Sequence, residues 1–222
     1  MPWQPQSGAI MPDVMTDFTG AAPGALGLLG AGGHGKVVAD TAIAAGWQDI
    51  AFFDPDFPSR RRNGHWPIAG AVPGDWQGAL FCSIGDNAMR ARIFAEQDLR
   101  DSPVLCHPSA ILSPSARLGP GTLAVAGSIV NADAVIGHGT ILNTACSVDH
   151  DCVLDDFVHV SPGARLAGNV HVGARSWIGI GAVVREGIRI GSDVMVGAGT
   201  VVVTNLPDGA RVAGVPARPL EG

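Results

Sequence analysis

His150 is flanked by residues that could support proton-transfer chemistry. It stands in the segment SVDHDC between Asp149 and Asp151. The ordinary pKa of histidine, about 6.5, suits a general base at neutral pH. A neighbouring carboxylate can orient the ring and raise its basicity. From these residues alone, however, a histidine flanked by acids is more commonly a solvated surface group than a catalytic base.

A glycine-rich loop near the start of the chain is the second group that could bind a ligand. Gly30, Gly32 and Gly35 fit G-x-G-x-x-G, in which backbone approaches a pyrophosphate at a helix N-terminus. Asp54 lies 19 residues after Gly35, close to the spacing of the acid that binds a ribose. A tight strand-to-helix turn without a ligand is the alternative. The roughly 80 residues available hold only one half of a dinucleotide reductase fold, so we interpret the loop as a nucleotide-binding module.

The remaining histidines and the cysteines do not predict a metal site. Zinc or iron carbonic anhydrases built as β-helical trimers present ligands partly as H-x4-H, and no two of the 7 histidines are five residues apart. The 4 cysteines form no C-x-x-C pair and no dense disulfide spacing. We therefore expect no metal and a reducing, cytoplasmic setting.

Composition excludes two classes of partner. Lys and Arg total 14 against 20 Asp and Glu, a net charge of −6, so no basic field would attract nucleic acid. The 31 glycines and 16 prolines interrupt every apolar run before the ~20 residues that a membrane helix needs. Residues 1–25 lack the charged and apolar regions of a signal peptide and are interpreted as a mobile leader.

Two different patterns must position these groups. Residues 26–106 alternate between strand-like and helix-like segments, which predicts an α/β domain with a parallel sheet. The predicted strands and final helix cover Leu26–Leu29, Ile50–Phe53, Ala79–Ile84 and Asn87 to about Gln97.

From Ile111 the chain divides into sixteen six-residue blocks without an insertion, through residue 206. The second position of each block is apolar, and the sixth is almost always small or aliphatic. Helical and hairpin patterns do not explain this period, whereas three flat walls per turn make a triangular prism. Cys146 and Cys152 fall in the inward sixth position, so we expect them to be core residues.

The hexads resemble those of the hexapeptide-repeat acyltransferases, which implies a left-handed parallel β-helix and a homotrimer with active sites between prisms. Both halves together resemble bacterial nucleotide-sugar N-acetyltransferases that act on 4-amino-4,6-dideoxy sugars, and the related sialic-acid O-acetyltransferases. The motifs are GAGGHGKVV, Asp54, SIGDN at 83–87, HPSA at 107–110, NTACSVDHDC and GVPAR. The implied fold is an α/β N-terminal Rossmann-like domain plus a C-terminal left-handed parallel β-helix.

The resemblance assigns roles to individual residues. It implies nucleotide-sugar contacts at Gly32, Gly33, His34, Asp54 and Gly85. It implies that His150 is the general base, that Asp151 orients it, and that His159 contacts acetyl-CoA near the thioester. Further coenzyme contacts are implied at the backbones of Gly168, Ile180 and Ala198, and at Arg218 near the phosphates. A plain terminal cap for the prism is an equal alternative for the segment that contains Arg218.

The resemblance also implies the reaction. We expect acetyl-CoA-dependent acetylation of the 4-amino group of a nucleotide-linked sugar for surface-glycan synthesis. UDP-specific members often have a second acid after the first, whereas this chain has Pro55, so a GDP-perosamine-type sugar is preferred and a UDP sugar is possible. The alternatives are O-acetylation of the sialic-acid type and a noncatalytic trimeric nucleotide-sugar-binding scaffold. The expected domains are the leader at 1–25, the nucleotide-sugar domain at 26–106, the β-helix at 107–206 and a cap at 207–222.

Overall fold

The computed structural model describes residues 24–220, so all but the last two residues of the predicted leader at 1–25 lie outside the described part of the chain. The first strand, β1, begins at Ala25. The predicted cap is described except for its last two residues.

The N-terminal domain is a five-stranded sheet with helices packed against it. Its elements are β1 (Ala25–Leu29), α1 (Gly33–Ala44), β2 (Asp49–Phe53), β3 (Arg62–Asn63), β4 (Trp66–Gly70), β5 (Ala79–Cys82) and α2 (Asn87–Glu96), followed by a 3₁₀ turn at Leu99–Asp101. The strand order is β3-β4-β2-β1-β5, and all pairs are parallel except β3 with β4. The predicted α/β domain is confirmed, although the sequence pattern missed β3 and β4.

Strand β6 (Leu105–Cys106) starts the β-helix, because it pairs with Leu123–Ala124 of the next coil. Sixteen two-residue strands then begin every six residues: β7 (Ile111–Leu112), β8 (Arg117–Leu118), β9 (Leu123–Ala124), β10 (Ile129–Val130), β11 (Val135–Ile136), β12 (Ile141–Leu142), β13 (Ser147–Val148), β14 (Val153–Leu154), β15 (His159–Val160), β16 (Arg165–Leu166), β17 (His171–Val172), β18 (Trp177–Ile178), β19 (Val183–Val184), β20 (Arg189–Ile190), β21 (Met195–Val196) and β22 (Val201–Val202). Strands β23 (Arg211–Ala213) and β24 (Arg218–Pro219) form a closing hairpin. The predicted hexapeptide-repeat β-helix is confirmed.

The prism has three walls because every third strand pairs in parallel with the strand one coil earlier. The docked face contains β6, β9, β12, β15, β18, β21, β23 and β24; the second face contains β7, β10, β13, β16, β19 and β22; the third face contains β8, β11, β14, β17 and β20. The second residue of almost every strand points inward, as predicted. Cys146 and Cys152 are fully buried between the walls, which confirms them as core residues.

Seven of the 31 glycines lie at corners of the prism. Every sixth residue from Gly121 to Gly199 has a positive φ, a backbone conformation that glycine adopts without steric cost and that Asp and Asn tolerate better than most residues. Half of these corner positions are glycine, and Asp151 is one of the exceptions, with φ of 58°. A catalytic candidate therefore sits on a sharply turned corner.

The two domains are joined through the docked face. The outward residues of its first coils, Leu105, Leu123 and Ile141, are buried in the same apolar cluster as Val38 and Leu28 of the N-terminal domain. The next outward residue along this face is His159, one coil nearer the C-terminal end, which we call the lower end of the prism. It is only 4% exposed. The docking thus places His159 at the lower edge of the domain junction. The predicted domain boundary between residues 106 and 107 stays a prediction. In the structure, Leu105–Cys106 already pair with a strand of the prism.

Candidate active site

The glycine loop has the stereochemistry of a ligand-approach loop. Gly30 has φ of 100°, and a Cβ atom there would lie 2.6 Å from Ile84. A Cβ atom on Gly35 would lie 2.9 Å from the Gly30 carbonyl oxygen, so close helix-strand packing requires both glycines. Nothing lies within 4 Å of a Cβ atom built on Gly32 or Gly33. Those two positions leave open backbone at the start of α1, as a phosphate site needs.

Asp54 fastens this loop. Its Oδ2 atom accepts a hydrogen bond of 2.6 Å from the backbone N–H of Ala31, and its Oδ1 atom accepts one of 3.1 Å from the N–H of Asp56. The carboxylate at the end of β2 therefore sets the path of the loop beside it. A contact with a ribose remains a prediction.

His34, Gly85 and His159 meet at the domain junction. The rings of His34 and His159 have centroids 6.0 Å apart, and a Cβ atom on Gly85 would be 3.7 Å from His34. Burial, with a smaller contribution from the Arg90 charge, lowers the pKa of His34 to about 4 and that of His159 to about 3. Both imidazoles are neutral at pH 7, so neither is a cation that could hold a phosphate.

A cleft opens below this junction on the docked face. It has a volume of about 370 Å³, and its lining includes His159, Ile180 and Ala198, three of the predicted coenzyme contacts. Trp177 lies one coil below His159, with ring centroids 4.1 Å apart. The Asn143 side-chain amide is 3.0 Å from His159 Nε2. The cleft is mostly apolar, with Asn143, His159 and Ser161 among its polar groups, a surface suited to a pantetheine arm.

His150 lies on a different corner of the prism, between β13 and β14. Its Nδ1 atom is 2.7 Å from Asp151 Oδ2, and its backbone N–H donates to Asp149 Oδ1 at 2.8 Å. The hydrogen bond to Asp151 raises the pKa of His150 above its usual value, and the neighbouring charge of Asp149 adds a smaller increase. Because Nδ1 is occupied by Asp151, Nε2 is the nitrogen left to take a proton. The imidazole is exposed, so it can meet a substrate or another subunit.

The predicted coenzyme contacts do not all lie together. Gly168 is one coil below His150 on the same corner, away from the cleft, and a Cβ atom there would lie 2.5 Å from the His150 ring. His150 and His159 are half a coil apart, so the corner of one lies opposite the face of the other. Arg218 is exposed on β24, donates to the Ala217 carbonyl, and is not among the residues that line the cleft.

Two features are absent from residues 24–220: a metal-binding cluster and a membrane-spanning helix. No group of three or more His, Cys, Asp or Glu residues within 24–220 is arranged to bind a metal ion. None of the helices in that range has the length and apolar character to span a membrane. A larger depression of about 560 Å³ on the third face contains none of the predicted site residues.

Sequence reasoning missed several residues of the junction. Asn143 begins the NTACSVDHDC segment, but the motif predicted no contact for it. Trp177 could have been found, because it follows His159 by one eighteen-residue coil. Arg90 and Asn87 gave no signal, because their partners are backbone carbonyls far away in the sequence.

Two family models match separate parts of the chain. The model described as PglD N-terminal domain matches residues 25–97, and the model described as bacterial transferase hexapeptide (six repeats) matches residues 169–204. The first match covers the glycine loop and the second covers the lower coils of the prism.

Solved structures resemble nearly the whole chain. The acetyltransferase domain of PglB from Neisseria gonorrhoeae FA1090, in complex with acetyl coenzyme A, is 41% identical with a TM-score of 0.82, and the match covers 90% of this chain and 100% of that one. A histidine-to-asparagine mutant of perosamine N-acetyltransferase from Caulobacter crescentus, in complex with CoA and GDP-perosamine, is 40% identical with a TM-score of 0.82, and the match covers 89% and 97% of the two chains.

The match to curated relatives is shorter. GDP-perosamine N-acetyltransferase from Escherichia coli O157:H7 is 31% identical over 121 residues, which covers 52% of this chain and 54% of the relative. The chain therefore spans about half the length of that curated relative.

Proposed function

The chain belongs to the family of acetyl-CoA-dependent, hexapeptide-repeat N-acetyltransferases that act on nucleotide-linked amino sugars, and from that premise we propose that it acetylates the 4-amino group of a GDP-linked 4-amino-4,6-dideoxy sugar. The observation that carries this proposal is the 40% identity, over 89% of the chain, to an enzyme with CoA and GDP-perosamine bound. Pro55, where a second acid is common in UDP-specific members, supports the preference for GDP.

The open backbone of Gly32 and Gly33 is the proposed diphosphate site. Asp54 and Gly85 follow strands β2 and β5, which flank β1 in the same sheet, at the carboxyl ends where ligands of open α/β sheets bind. The neutral His34 lies between this loop and His159, so the sugar would extend from the nucleotide toward the cleft. The apolar lining around Trp177 and Ile180 fits the coenzyme arm as the second substrate.

His150 is the proposed general base. The 4-amino nitrogen attacks the thioester carbonyl carbon, and His150 Nε2 accepts the proton that the nitrogen loses. Asp151, bound to Nδ1, stabilises the imidazolium that forms. When the tetrahedral intermediate collapses, the carbon–sulfur bond breaks and the imidazolium returns the proton to the CoA thiolate. The products are the N-acetylated sugar and free CoA.

The proposed active site is shared between subunits. His150 and the cleft around His159 lie on opposite sides of one prism, so a single chain cannot bring them to one acetyl group. In a closed ring of identical subunits, the His150 corner of one chain meets the cleft of the next at every interface. A homotrimer supplies such a ring, and three equivalent sites follow from it.

A substrate panel tests the function. The purified chain is incubated with acetyl-CoA and GDP-perosamine, a UDP-linked 4-amino sugar, or the GDP sugar with a 4-hydroxyl group, and free thiol and sugar mass are measured. Turnover and gain of one acetyl group with GDP-perosamine supports the proposal. Acetylation of the 4-hydroxyl sugar alone would indicate an O-acetyltransferase. Binding of the nucleotide sugar without thiol release would indicate a noncatalytic scaffold.

A further inference from the structure

Arg90, on α2, is a charged side chain buried without a carboxylate partner. It is 1% exposed, and none of the ion pairs within residues 24–220 involves it. Burial lowers the pKa of its guanidinium to about 10, so the group still carries its charge at pH 7. A buried charge is costly unless every donor is satisfied, and here neutral oxygen atoms perform that role.

The acceptors of Arg90 come from both domains. Three belong to the N-terminal domain: the carbonyls of Ile84 at 3.1 Å and Gly85 at 2.9 Å, and Asn87 Oδ1 at 2.7 Å. Three belong to the prism: the carbonyls of Gly139 at 2.6 Å, Phe157 at 2.9 Å and Val158 at 3.5 Å. The planar guanidinium has five donors in a fixed fork, which a lysine ammonium cannot reproduce. This one side chain therefore hydrogen-bonds the N-terminal domain to the β-helix, beside the apolar cluster that joins them.

These acceptors border His159 on two sides. Phe157 and Val158 immediately precede it, and the Gly85 carbonyl lies 3.4 Å from its Nδ1 atom. On the other side of the ring, Asn143 Oδ1 accepts from the N–H of Thr144 at 2.8 Å, which turns the Asn143 NH₂ group toward Nε2. Nε2 is then an acceptor and Nδ1 carries the proton. The neutral tautomer of His159 is thus favoured by the Asn143 amide at Nε2 and by the Gly85 carbonyl, which Arg90 also binds, at Nδ1.

We propose that Arg90 is a positioning residue for acetyl transfer, which holds the Gly85 loop and the His159 coil in register so that the sugar and the thioester meet. The proposal rests on the proposed function. The loop that would hold the sugar and the coil that would hold the thioester belong to different domains, and Arg90 binds the backbone of both. Small misplacements of reacting groups reduce rate strongly, while each substrate can still bind its own domain.

The main test separates turnover from binding in Arg90→Lys. We expect kcat to fall about tenfold or more, while the Kd values for GDP alone and for CoA alone change less than about threefold. The matched control is Arg92→Lys on the same helix, where Arg92 is exposed and pairs with Glu96 at 2.6 Å. The control should keep wild-type kcat. A wild-type kcat in folded Arg90→Lys, or a loss that lies wholly in the two Kd values, would overturn the proposal.

A second measurement needs neither turnover nor knowledge of the sugar. Nitrogen NMR of histidine-labelled wild-type protein, with the His159 signal identified by its loss in His159→Asn, should show a neutral ring protonated at Nδ1 at pH 7. In Arg90→Met or Arg90→Lys that signal should change toward a mixture of tautomers. A wild-type ring protonated at Nε2, or the same tautomer in the wild type and in the Arg90 variants, would overturn the proposal. If the wild type acetylates no nucleotide sugar, the proposed function fails, and the comparison of tautomers with and without Arg90 still tests the role of Arg90.

Discussion

His150 and Gly168 occupy equivalent places on consecutive coils, and the imidazole ring of His150 lies over the backbone of Gly168. A Cβ atom on Gly168 would come within 2.5 Å of ring atoms Cε1 and Nε2. The glycine thus leaves the space in which the proposed base is held. Since His150 is exposed, its ring can swing outward when that space is filled.

Gly168→Ala should therefore lower activity without unfolding the protein. We expect kcat to fall about tenfold, because Nε2 is displaced from its place, while Tm changes by only a few degrees. Steady-state kinetics and a thermal melt measure the two effects. Glu186→Ala, one coil below Gly168 on the same corner and exposed, is the control and should be neutral. Full activity in Gly168→Ala would show that the ring position seen here does not matter for turnover.

His150→Asn should reduce kcat by roughly 10²-fold or more, the range expected when a general base is lost. The amide keeps a polar group at the corner but cannot accept a proton at neutral pH. The fold of the prism should be unaffected because the side chain is exposed. Near-normal turnover of the variant at pH 7 would remove His150 from the role of base.

Asp151→Asn should change the pH profile in a direction that the structure fixes. The hydrogen bond from His150 to Asp151 raises the pKa of His150, so the acidic limb of kcat/KM should lie above pH 6.5 in the wild type. Removing the negative charge lowers that pKa, and the limb should move to lower pH while the plateau rate also falls. Asp133→Asn, at the same corner position one coil earlier, is the control. An unmoved limb in Asp151→Asn would argue against this pairing.

Asp54→Ala should raise KM for the nucleotide sugar and leave KM for acetyl-CoA little changed. The substitution removes the acceptor of the Ala31 N–H and so loosens the loop that contains Gly32 and Gly33. Asp49→Ala is the matched control, because Asp49 is an exposed acid at the opposite end of β2 from Asp54. Equal effects of Asp54→Ala on both KM values would contradict separate binding sites.

Much of the fold could be predicted because the same six-residue pattern of apolar and small positions recurs along the prism. The inward residues and the corner of each block can be predicted from that block alone, so a wrong assignment in one block does not affect the next. The junction could not be predicted in the same way. Arg90 bonds to carbonyls 49 and 67 residues away, and a carbonyl has no residue type that a sequence pattern could reveal. The meeting of His34 with His159 likewise depends on how the domains dock.

The site residues divide along the same line. The flanking acids of His150 and the spacing of Gly30, Gly32 and Gly35 are local patterns, and the structure gives each a geometric reason. The grouping of Gly168 with the cleft came from the resemblance alone, and the structure puts Gly168 beneath His150. Within one chain, the corner with His150 and Gly168 and the cleft around His159 are separate surfaces, and only a neighbouring subunit can bring them together.

Acidification should destabilise the domain junction. His34 and His159 have folded-state pKa values of about 4 and 3, below the ordinary 6.5 of an unfolded chain. Below pH 6.5 the unfolded state binds more protons, so the free energy of unfolding falls as pH falls, by at most about 1.4 kcal/mol per pH unit for each histidine. Urea unfolding at pH 7 and pH 5, at one protein concentration, measures the loss.

His159→Asn should lose less stability between pH 7 and pH 5 than the wild type does, because one buried group that resists protonation is gone. His65→Asn, which alters an exposed histidine, should lose as much as the wild type. Equal pH dependence in all three proteins would show that protonation of the junction does not control stability in this range.

The last prediction tests the shared cleft by mixing two inactive variants. His150→Ala and His159→Ala are unfolded together in equal amounts and reassembled at random, with native mass spectrometry used to show that the trimers are mixed. If each site takes His150 from one chain and His159 from the next, the chance that both are intact is about one half times one half, so roughly a quarter of wild-type activity should return. Each variant reassembled alone should stay inactive. If both histidines instead serve a site within one chain, no mixture can restore it, because every chain lacks one of them. The half-coil separation of the two histidines on one prism predicts recovery, and mixed trimers without activity would refute the shared cleft.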